Sequence, residues 1–411
     1  MKSLLRLGIV AFFLINSTAA AQPASPSNAP QTQAGAATAP APQGSAGSGS
    51  WYFAVSGDSR DCGNLIMPKI AASVNSLPPQ TPASFYWHLG DFRGMQFPDC
   101  DMVLPITGSC QKFPPAWGNF AVNYYLNNAW DDFIQNQVKP FGTLPVFLGI
   151  GNHELYGHHT REQFRYKFQP WLTQDWIYFQ QIADTRRKPP FHAPDLGMTY
   201  FHFIRNGVDF IYLDNAGSTQ FDAAQLLWLG QVLAADAQDP TVKTIVVGMH
   251  AALPNSISSG HAMDHNCQGV CSGSHAYNML FNASIGPNRK NVYVLASHSH
   301  LFQENIFQTP QHQGQVLPGW IVGTAGASQY LMGGAATPSD QFKDCWKTKI
   351  CYGYLLVEVR PDGTINPQYK LVTEDSPPKG HAGLSDFCFN KNGAVTTQKP
   401  PNLNCACGES K

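Results

Sequence analysis

Five groups of potential metal ligands occur in order along the chain, each just after an apolar, β-rich run. The groups are Asp58, Asp91, the Asn152-His153-Glu154 run, His250, and the pair His298 and His300. Carboxylate and amide oxygens together with imidazole nitrogens, and no cysteine, suit hard and borderline divalent or trivalent ions. These residue types therefore predict a metal site.

The apolar run before each group is a predicted strand. The five runs are Trp51–Val55, Phe85–Leu89, Leu144–Ile150, Thr244–Met249 and Asn291–Ala296. Open α/β sheets bind ligands in the crevice beyond the carboxyl ends of their strands. We therefore expect the five groups to converge at one place.

Further helices and strands complete the predicted fold. Helices are predicted at Met67–Ser76, around Phe120–Val138, and at Ala223–Ala235, where Asp222 is a plausible N-cap. Later strands are predicted at Thr199–Arg205, Asp209–Asp214, Trp320–Thr324, Gly353–Arg360 and Ile365–Leu371. Strands that alternate with helices and end in a meander indicate a layered α/β domain with two packed sheets.

The N-terminal segment has the pattern of an export signal. Lys2 and Arg6 precede the apolar run Leu7–Ile15, and Ala19–Ala21 resembles a cleavage site, so residues 1–21 are a predicted signal peptide. An uncleaved membrane anchor is the alternative. The apolar run is short for a bilayer span. We expect a secreted or periplasmic protein with no stable membrane span after cleavage.

The rest of the chain divides into three predicted segments. Residues 22–50 are rich in Ala, Pro, Gly and Ser and predict a disordered linker. Residues 51–375 are the predicted folded domain, and residues 376–411 are a predicted irregular tail that contains cysteines.

The chain has ten cysteines, an even number that suits an oxidising compartment. Local spacing favours three disulfides, Cys100–Cys110, Cys267–Cys271 and Cys345–Cys351. Cys388 is expected to pair with Cys405 or Cys407, and the other of these two with Cys62.

The charge content argues against nucleic acid as a partner. The formal net charge is -1, and only 13% of residues are charged. Binding to nucleic acid would require a basic patch or stripe.

The ordered ligand groups resemble those of the calcineurin-like metallophosphoesterase superfamily. The family pattern runs Asp-x-His, Gly-Asp, Gly-Asn-His-Asp/Glu, His, and Gly-His-x-His. In this chain it reads Asp58-Ser59-Arg60, Gly90-Asp91, Gly151-Asn152-His153-Glu154, His250 and Ser297-His298-Ser299-His300. Over residues 51–325, the resemblance implies a four-layer αββα sandwich of two mixed β-sheets flanked by helices.

The resemblance also implies a dinuclear centre of Mn, Fe, Zn or similar ions, with Asp91 as the bridge. The remaining ligands are Asn152, His250 and His298 for one ion and Asp58 and His300 for the other. A metal-bound hydroxide would attack a small-molecule phosphomonoester or phosphodiester. His153 would assist the leaving oxygen, and Glu154 is a candidate for orienting His153.

Arg60 stands where the family pattern has histidine, and a guanidinium cannot ligate a metal. Three interpretations remain open: Arg60 contacts the substrate phosphate, it pairs with a carboxylate such as Asp61, or the first metal is weak or absent. The same substitution keeps open a catalytically weak phosphate- or metal-binding protein on this scaffold. A carbohydrate-binding module built on the aromatic residues would explain neither the five groups nor their order.

Two other features lie outside the family pattern. Asp214 and Asn215 end a predicted strand, and we expect a structural role for them. His261, in the long loop after His250, fits a solvent-facing loop or the wall of a substrate pocket.

Overall fold

The structure is a computed structural model. It describes residues 49–95, 98–108, 110, 118–157, 159–188, 190–191, 197–217, 220–258, 260–263, 271–330, 350–376 and 382–394. The predicted signal peptide, nearly all of the predicted linker and the end of the predicted tail lie outside these residues.

The described residues form thirteen strands and eight α-helices. The strands are β1 (Trp51–Ser56), β2 (Ala83–His88), β3 (Val146–Leu148), β4 (Phe201–Arg205), β5 (Val208–Leu213), β6 (Thr244–Met249), β7 (Asn291–Ala296), β8 (Phe302–Glu304), β9 (Gly319–Val322), β10 (Gln329–Tyr330), β11 (Tyr352–Val359), β12 (Ile365–Val372) and β13 (Gly393–Ala394). The helices are α1 (Gly63–Asn75), α2 (Cys100–Thr107), α3 (Gly118–Phe133), α4 (Arg161–Leu172), α5 (Asp175–Thr185), α6 (Ala223–Gln238), α7 (Ser272–Ile285) and α8 (Ala382–Asn390).

The strands make two large mixed sheets and one small one. The first sheet has the order β12-β11-β1-β2-β3, with β1, β2 and β3 parallel and β11 and β12 antiparallel. The second has the order β4-β5-β6-β7-β9-β8, with β5, β6, β7 and β9 parallel. Strands β10 and β13 form the small parallel sheet.

Aromatic side chains join the facing surfaces of the two large sheets. The ring of Phe210 on β5 lies 5.1 Å from that of Phe53 on β1 and 5.0 Å from that of Phe85 on β2. Phe147 on β3 stacks on Phe203 of β4 at 4.4 Å. The central core therefore lies between the sheets, where edge-to-face and stacked rings add to the apolar burial.

Helices cover the outer faces of the two large sheets. The second sheet is therefore buried on both faces, and both of its faces carry apolar residues. Along β6, Val246 belongs to the core between the sheets, whereas Ile245 and Val247 pack in a second cluster with α6 and α7. Strands that are covered on both faces are continuously apolar rather than alternating. The predicted two-sheet sandwich flanked by helices is confirmed.

The local signals of α6 are also confirmed. The Asp222 side chain accepts a hydrogen bond from the backbone N–H of Gln225 at 2.8 Å, and the helix begins at Ala223. An acceptor at this position satisfies one of the free amide groups in the first helical turn.

The structure contains helices that the sequence analysis did not predict, among them α4, α5 and α7. Helix α8 lies within residues 376–411, where an irregular tail was predicted. Among the described residues, none of the helices is both long and apolar enough to cross a membrane.

The disulfides confirm one prediction and correct another. Cys100 pairs with Cys110 as expected. Cys62 pairs with Cys388, so the expected pairings of these two residues with the last cysteines of the tail were wrong. Cys388 is buried in the central core next to Cys62, because α8 folds back onto the domain. Cys271 and Cys351 are also disulfide-bonded; their predicted partners lie outside the described residues.

Candidate metal centre

The structure brings the six predicted metal ligands together at the carboxyl ends of parallel strands. They follow β1, β2 and β3 of the first sheet and β6 and β7 of the second. We call Asp91, Asn152, His250 and His298 the histidine-rich set, and Asp58, Asp91 and His300 the arginine-facing set. Ligand atoms of Asp91, His250 and His298 lie within 4.8 Å of one another, as do those of the arginine-facing set. Asp91 belongs to both sets.

The backbone is strained at three of these ligands. Asp58 and Asp91 both have a φ of 59°, and His298 has a φ of 65°. Left-handed conformations are uncommon in residues other than glycine, and they concentrate at functional sites. The strand ends are therefore shaped to direct these side chains into one place.

In the histidine-rich set, one imidazole nitrogen faces two side-chain oxygens, and a second imidazole nitrogen is buried nearby. His250 Nδ1 lies 3.0 Å from the carbonyl oxygen of Leu89 and donates to it. His250 Nε2 lies 2.9 Å from Asn152 Oδ1 and 3.3 Å from Asp91 Oδ1. His298 Nδ1 is buried and has no hydrogen-bond partner among the residues that the structure describes. This geometry fits a metal ion, which would satisfy all of these atoms at once.

The charges of this set are strongly coupled. Burial lowers the pKa of His250, but the Asp91 carboxylate outweighs it and raises that pKa to about 9. Burial alone would raise the pKa of Asp91, yet His250 and His153 hold it well below its usual range. Burial and the neighbouring His250 lower the pKa of His298, which keeps its imidazole neutral and able to ligate.

The arginine-facing set has two buried oxygens that lack a donor. Within the described part of the chain, Asp58 Oδ1 and Asp91 Oδ2 have no hydrogen-bond partner, and Asp58 Oδ1 lies 3.4 Å from His300 Nε2. The second Asp58 oxygen accepts from the backbone N–H of His298 at 2.7 Å. Buried carboxylate oxygens without donors require a nearby cation.

Arg60 is that nearby cation, and two imidazoles hold it. Its Nη1 lies 2.7 Å from His153 Nε2, and its Nη2 lies 3.2 Å from His300 Nε2. These two rings are the hydrogen-bond partners of Arg60 in the part of the chain that the structure describes. Burial lowers the pKa of Arg60, but the carboxylates of Asp61 and Asp91 more than compensate, so the guanidinium stays charged. Of the three interpretations of Arg60, the pairing with Asp61 is present as an interaction of charges, with no hydrogen bond between the two side chains among the described residues.

His153 lies beside the cluster, as expected for a residue that is not a ligand. Its Nε2 is 3.8 Å from Asp91 Oδ2. Its Nδ1 contacts the carbonyl oxygen of Gly94 and must donate to it, so Nε2 carries the lone pair that faces Arg60. In this arrangement His153 accepts at Nε2 and holds the guanidinium, whereas the leaving-group role requires it to donate.

Glu154 does not orient the His153 ring, which corrects the expectation. Its carboxylate is fully buried and accepts from the backbone N–H groups of Asp91, Phe92 and Gly151, each at 2.8 Å. Burial and Asp91 raise the pKa of Glu154 to about 8, and the three N–H groups act against this rise. Glu154 thus ties the loop after β3 to the loop after β2.

Two further residues support the site: the sequence analysis expected a structural role for Asn215 and missed Gly323. Asn215, at the end of β5, accepts from the backbone N–H groups of His250 and Ala251, both at 3.1 Å. A Cβ atom on Gly323 would lie 2.8 Å from Asp58 Oδ2, so only glycine fits there. The signal for Gly323 was its place, since it directly follows β9 of the second sheet.

Tyr330 and His261 form a stacked wall beside the ligands. The Tyr330 ring stacks on His300 at 4.4 Å and on His261 at 4.8 Å. The His261 ring also lies 5.2 Å from that of His298. Of the two interpretations of His261, the one at the wall of the site agrees with this position.

Comparison with known proteins identifies the family. The family model for the calcineurin-like phosphoesterases matches residues 66–302, more than half of the chain. The match includes Asp91 and His300 but begins after Arg60. A solved structure of a phosphatase from Mycoplasma pneumoniae is similar at 10% identity, covering 80% of this chain and 94% of that one with a TM-score of 0.31. A score this low supports no argument. No curated protein matches the chain.

Proposed function

The chain belongs to the calcineurin-like phosphoesterase family, and we propose that it hydrolyses small-molecule phosphoesters at the centre described above. The observation that carries the proposal is the meeting of His250 Nε2 with Asn152 Oδ1 and Asp91 Oδ1, at 2.9 and 3.3 Å. These atoms and the unpartnered His298 Nδ1 would hold a metal ion.

A bound Mn, Fe or Zn ion would supply positive charge and lower the pKa of a coordinated water. If two ions bind, as the resemblance implies, one would lie in the histidine-rich set and one in the arginine-facing set, and Asp91 would be shared by both. The protein itself supplies the fixed positive charge of Arg60, which is partly exposed at the rim of the cluster. His153 would hold that guanidinium against the phosphoryl group.

We also propose that the protein is exported to the periplasm or secreted. The support is the predicted signal peptide of residues 1–21 together with the disulfides Cys62–Cys388 and Cys100–Cys110. Disulfides persist in oxidising compartments and are rare in the cytosol. The mass of the N-terminal peptide from the exported protein would test this, since processing should remove about the first 21 residues.

The test of activity uses the purified mature protein with p-nitrophenyl phosphate and bis-p-nitrophenyl phosphate. Turnover should require added Mn²⁺ and disappear on chelation, and the faster ester would identify the preferred class. Asp91→Asn should lower the rate by more than about 100-fold and lower bound metal, because it removes the negative charge and one ligating oxygen of the shared carboxylate. Asp131→Asn, on the exposed surface, is the matched control.

Two results would contradict the proposal. Wild-type turnover by Asp91→Asn would mean that the reaction does not use this centre. Stoichiometric binding of Mn²⁺ and phosphate with no turnover of either ester would instead support the binding-protein alternative.

A further inference from the structure

We propose that the Arg60 guanidinium takes the place of the second cation, so that the centre holds one metal ion, in the histidine-rich set. The inference rests on the proposed function, because it concerns how the same site carries its positive charge. It differs from the expected dinuclear centre only in the arginine-facing set, where the guanidinium replaces a metal ion.

The first argument concerns the lone pair of His300. His300 Nδ1 lies 2.7 Å from the carbonyl oxygen of Ser328 and donates to it, which leaves a single lone pair at Nε2. That lone pair faces Arg60 Nη2 at 3.2 Å. One lone pair cannot both accept a hydrogen bond and ligate a metal. While Arg60 occupies this position, the arginine-facing set lacks its only nitrogen ligand.

The second argument is that the other terminal nitrogen of Arg60, Nη1, is held as well. His153 Nδ1 donates to Gly94, and His153 Nε2 accepts from Arg60 Nη1 at 2.7 Å. Both imidazoles are therefore held by backbone carbonyls as acceptors for one guanidinium. Two anchored acceptors define the position of the charge better than a flexible side chain would by itself.

The third argument concerns the charge of the site. Asp58 and Asp91 are two buried carboxylates, and Arg60 offsets one of them. Counted over these three side chains alone, one divalent ion in the histidine-rich set then leaves a single excess positive charge, which the neighbouring Asp61 reduces further. A second divalent ion would add two more charges beside the guanidinium, at separations where repulsion is costly even at an effective dielectric constant of about 20.

In the histidine-rich set, no guanidinium of the described residues competes with a metal ion for an imidazole nitrogen. His250 Nε2 faces only the oxygens of Asn152 and Asp91 there, and His298 Nδ1 has no partner among the described residues. The metal ion therefore belongs in this set, with Asp91 as the shared carboxylate.

Arg60 keeps donors free for a substrate in this arrangement. A guanidinium has five N–H groups, and the two imidazoles use one on each terminal nitrogen. Its Nε is buried and has no hydrogen-bond partner among the described residues. The second N–H group on each terminal nitrogen can bind a phosphoryl oxygen, which is what a second metal ion would otherwise do.

The test counts metal ions independently of activity. The mature protein is stripped with a chelator and titrated with Mn²⁺, and bound metal is measured by calorimetry and elemental analysis. The wild type should bind about one ion per chain, with the Mn²⁺ resonance spectrum of an isolated ion. Arg60→His should bind about two and give an exchange-coupled spectrum, because an imidazole at this position can ligate. Arg60→Lys, which keeps the charge and adds no ligand, is the control and should bind about one.

The outcomes separate the inference from the proposed function. Two ions in the wild type, with chelator-sensitive turnover, would overturn the inference and leave the proposed function intact. No bound ion and no chelator-sensitive turnover would overturn both. If Arg60→His does not fold, the wild-type count and its spectrum decide by themselves.

Discussion

Gly151 packs directly against the carboxylate of Asp91. A Cβ atom built on Gly151 would lie 2.2 Å from Asp91 Oδ1 and 2.9 Å from the His250 ring. Glycine thus lets the loop after β3 approach the shared ligand of both sets, which explains physically why glycine precedes Asn152.

Gly151→Ala should therefore damage the metal centre without changing a ligand. The added methyl must displace Asp91, and we expect metal affinity and activity to fall by about 10- to 100-fold, as for changes next to a ligand. Calorimetric Mn²⁺ titration measures this effect. Gly286→Ala is the matched control, because a Cβ there meets only an ordinary contact at 3.5 Å. Unchanged affinity in Gly151→Ala would show that the loop yields without moving Asp91.

Asn215 should act on metal binding through the backbone of His250. Asn215→Ala removes the acceptor for two buried N–H groups, and we expect a loss of about 1–3 kcal/mol in unfolding free energy. Mn²⁺ affinity should fall as well, by about 10-fold, since His250 loses its anchor. Asn128→Ala, which removes an exposed hydrogen bond within α3, should change neither quantity. Loss of stability at unchanged Mn²⁺ affinity would mean that Asn215 supports the fold alone.

The Cys62–Cys388 disulfide should contribute more to stability than Cys100–Cys110. It closes a sequence separation of 326 residues, against 10 for the other. Replacing both Cys62 and Cys388 by serine should lower the unfolding free energy by about 2–5 kcal/mol, because cross-links over long loops constrain the unfolded chain more. Denaturant unfolding of both double-serine variants measures the difference. An equal or larger loss from the Cys100 and Cys110 variant would contradict the prediction.

The buried His202 predicts a fall in stability at alkaline pH. Its Nε2 lies 2.8 Å from Asp184 and its Nδ1 lies 2.8 Å from Asp209. Burial lowers its pKa, but Asp209 and Asp184 raise it to about 10, above the ordinary value of 6.5. A raised folded-state pKa stabilises the protein fully below the ordinary pKa, and the contribution is lost as pH rises through the folded-state value. Nearby Asp236, whose pKa burial and Asp209 raise to about 9, acts in the same direction.

The unfolding free energy should therefore decline between about pH 6.5 and pH 10, by on the order of 4 kcal/mol from His202 alone. The measurement is denaturant unfolding at each pH in the presence of a chelator. The protein is then free of metal throughout, and metal binding adds no pH dependence of its own. His202→Asn should be less stable near neutral pH, since Asp184 and Asp209 lose their partner, and its decline with pH should be shallower. Parallel declines in the two proteins would exclude His202 as the cause.

The fold was largely predictable because its signals are local. The runs that became β5 and β6 are mostly apolar, and the N-cap at Asp222 marks the start of α6. The signal for α4 was also present and was missed: Thr160 and Gln163 form a capping box, and Phe164, Phe168 and Leu172 follow at helical spacing. Helix α8 in the tail was not predicted, because it is held to the domain by the disulfide between Cys388 and Cys62, which are 326 residues apart in the sequence.

The sequence by itself determined the types and order of the candidate ligands and placed each after a strand, because strand and turn signals depend on neighbouring residues. Only the tertiary structure decided what those residues contact. Arg60 meets His153 and His300 across 93 and 240 residues of chain, and Glu154 binds the amides of another loop. Such contacts depend on how two sheets pack, and no local pattern records them. Hydrogen-bond direction at those contacts places the Arg60 guanidinium between His153 and His300.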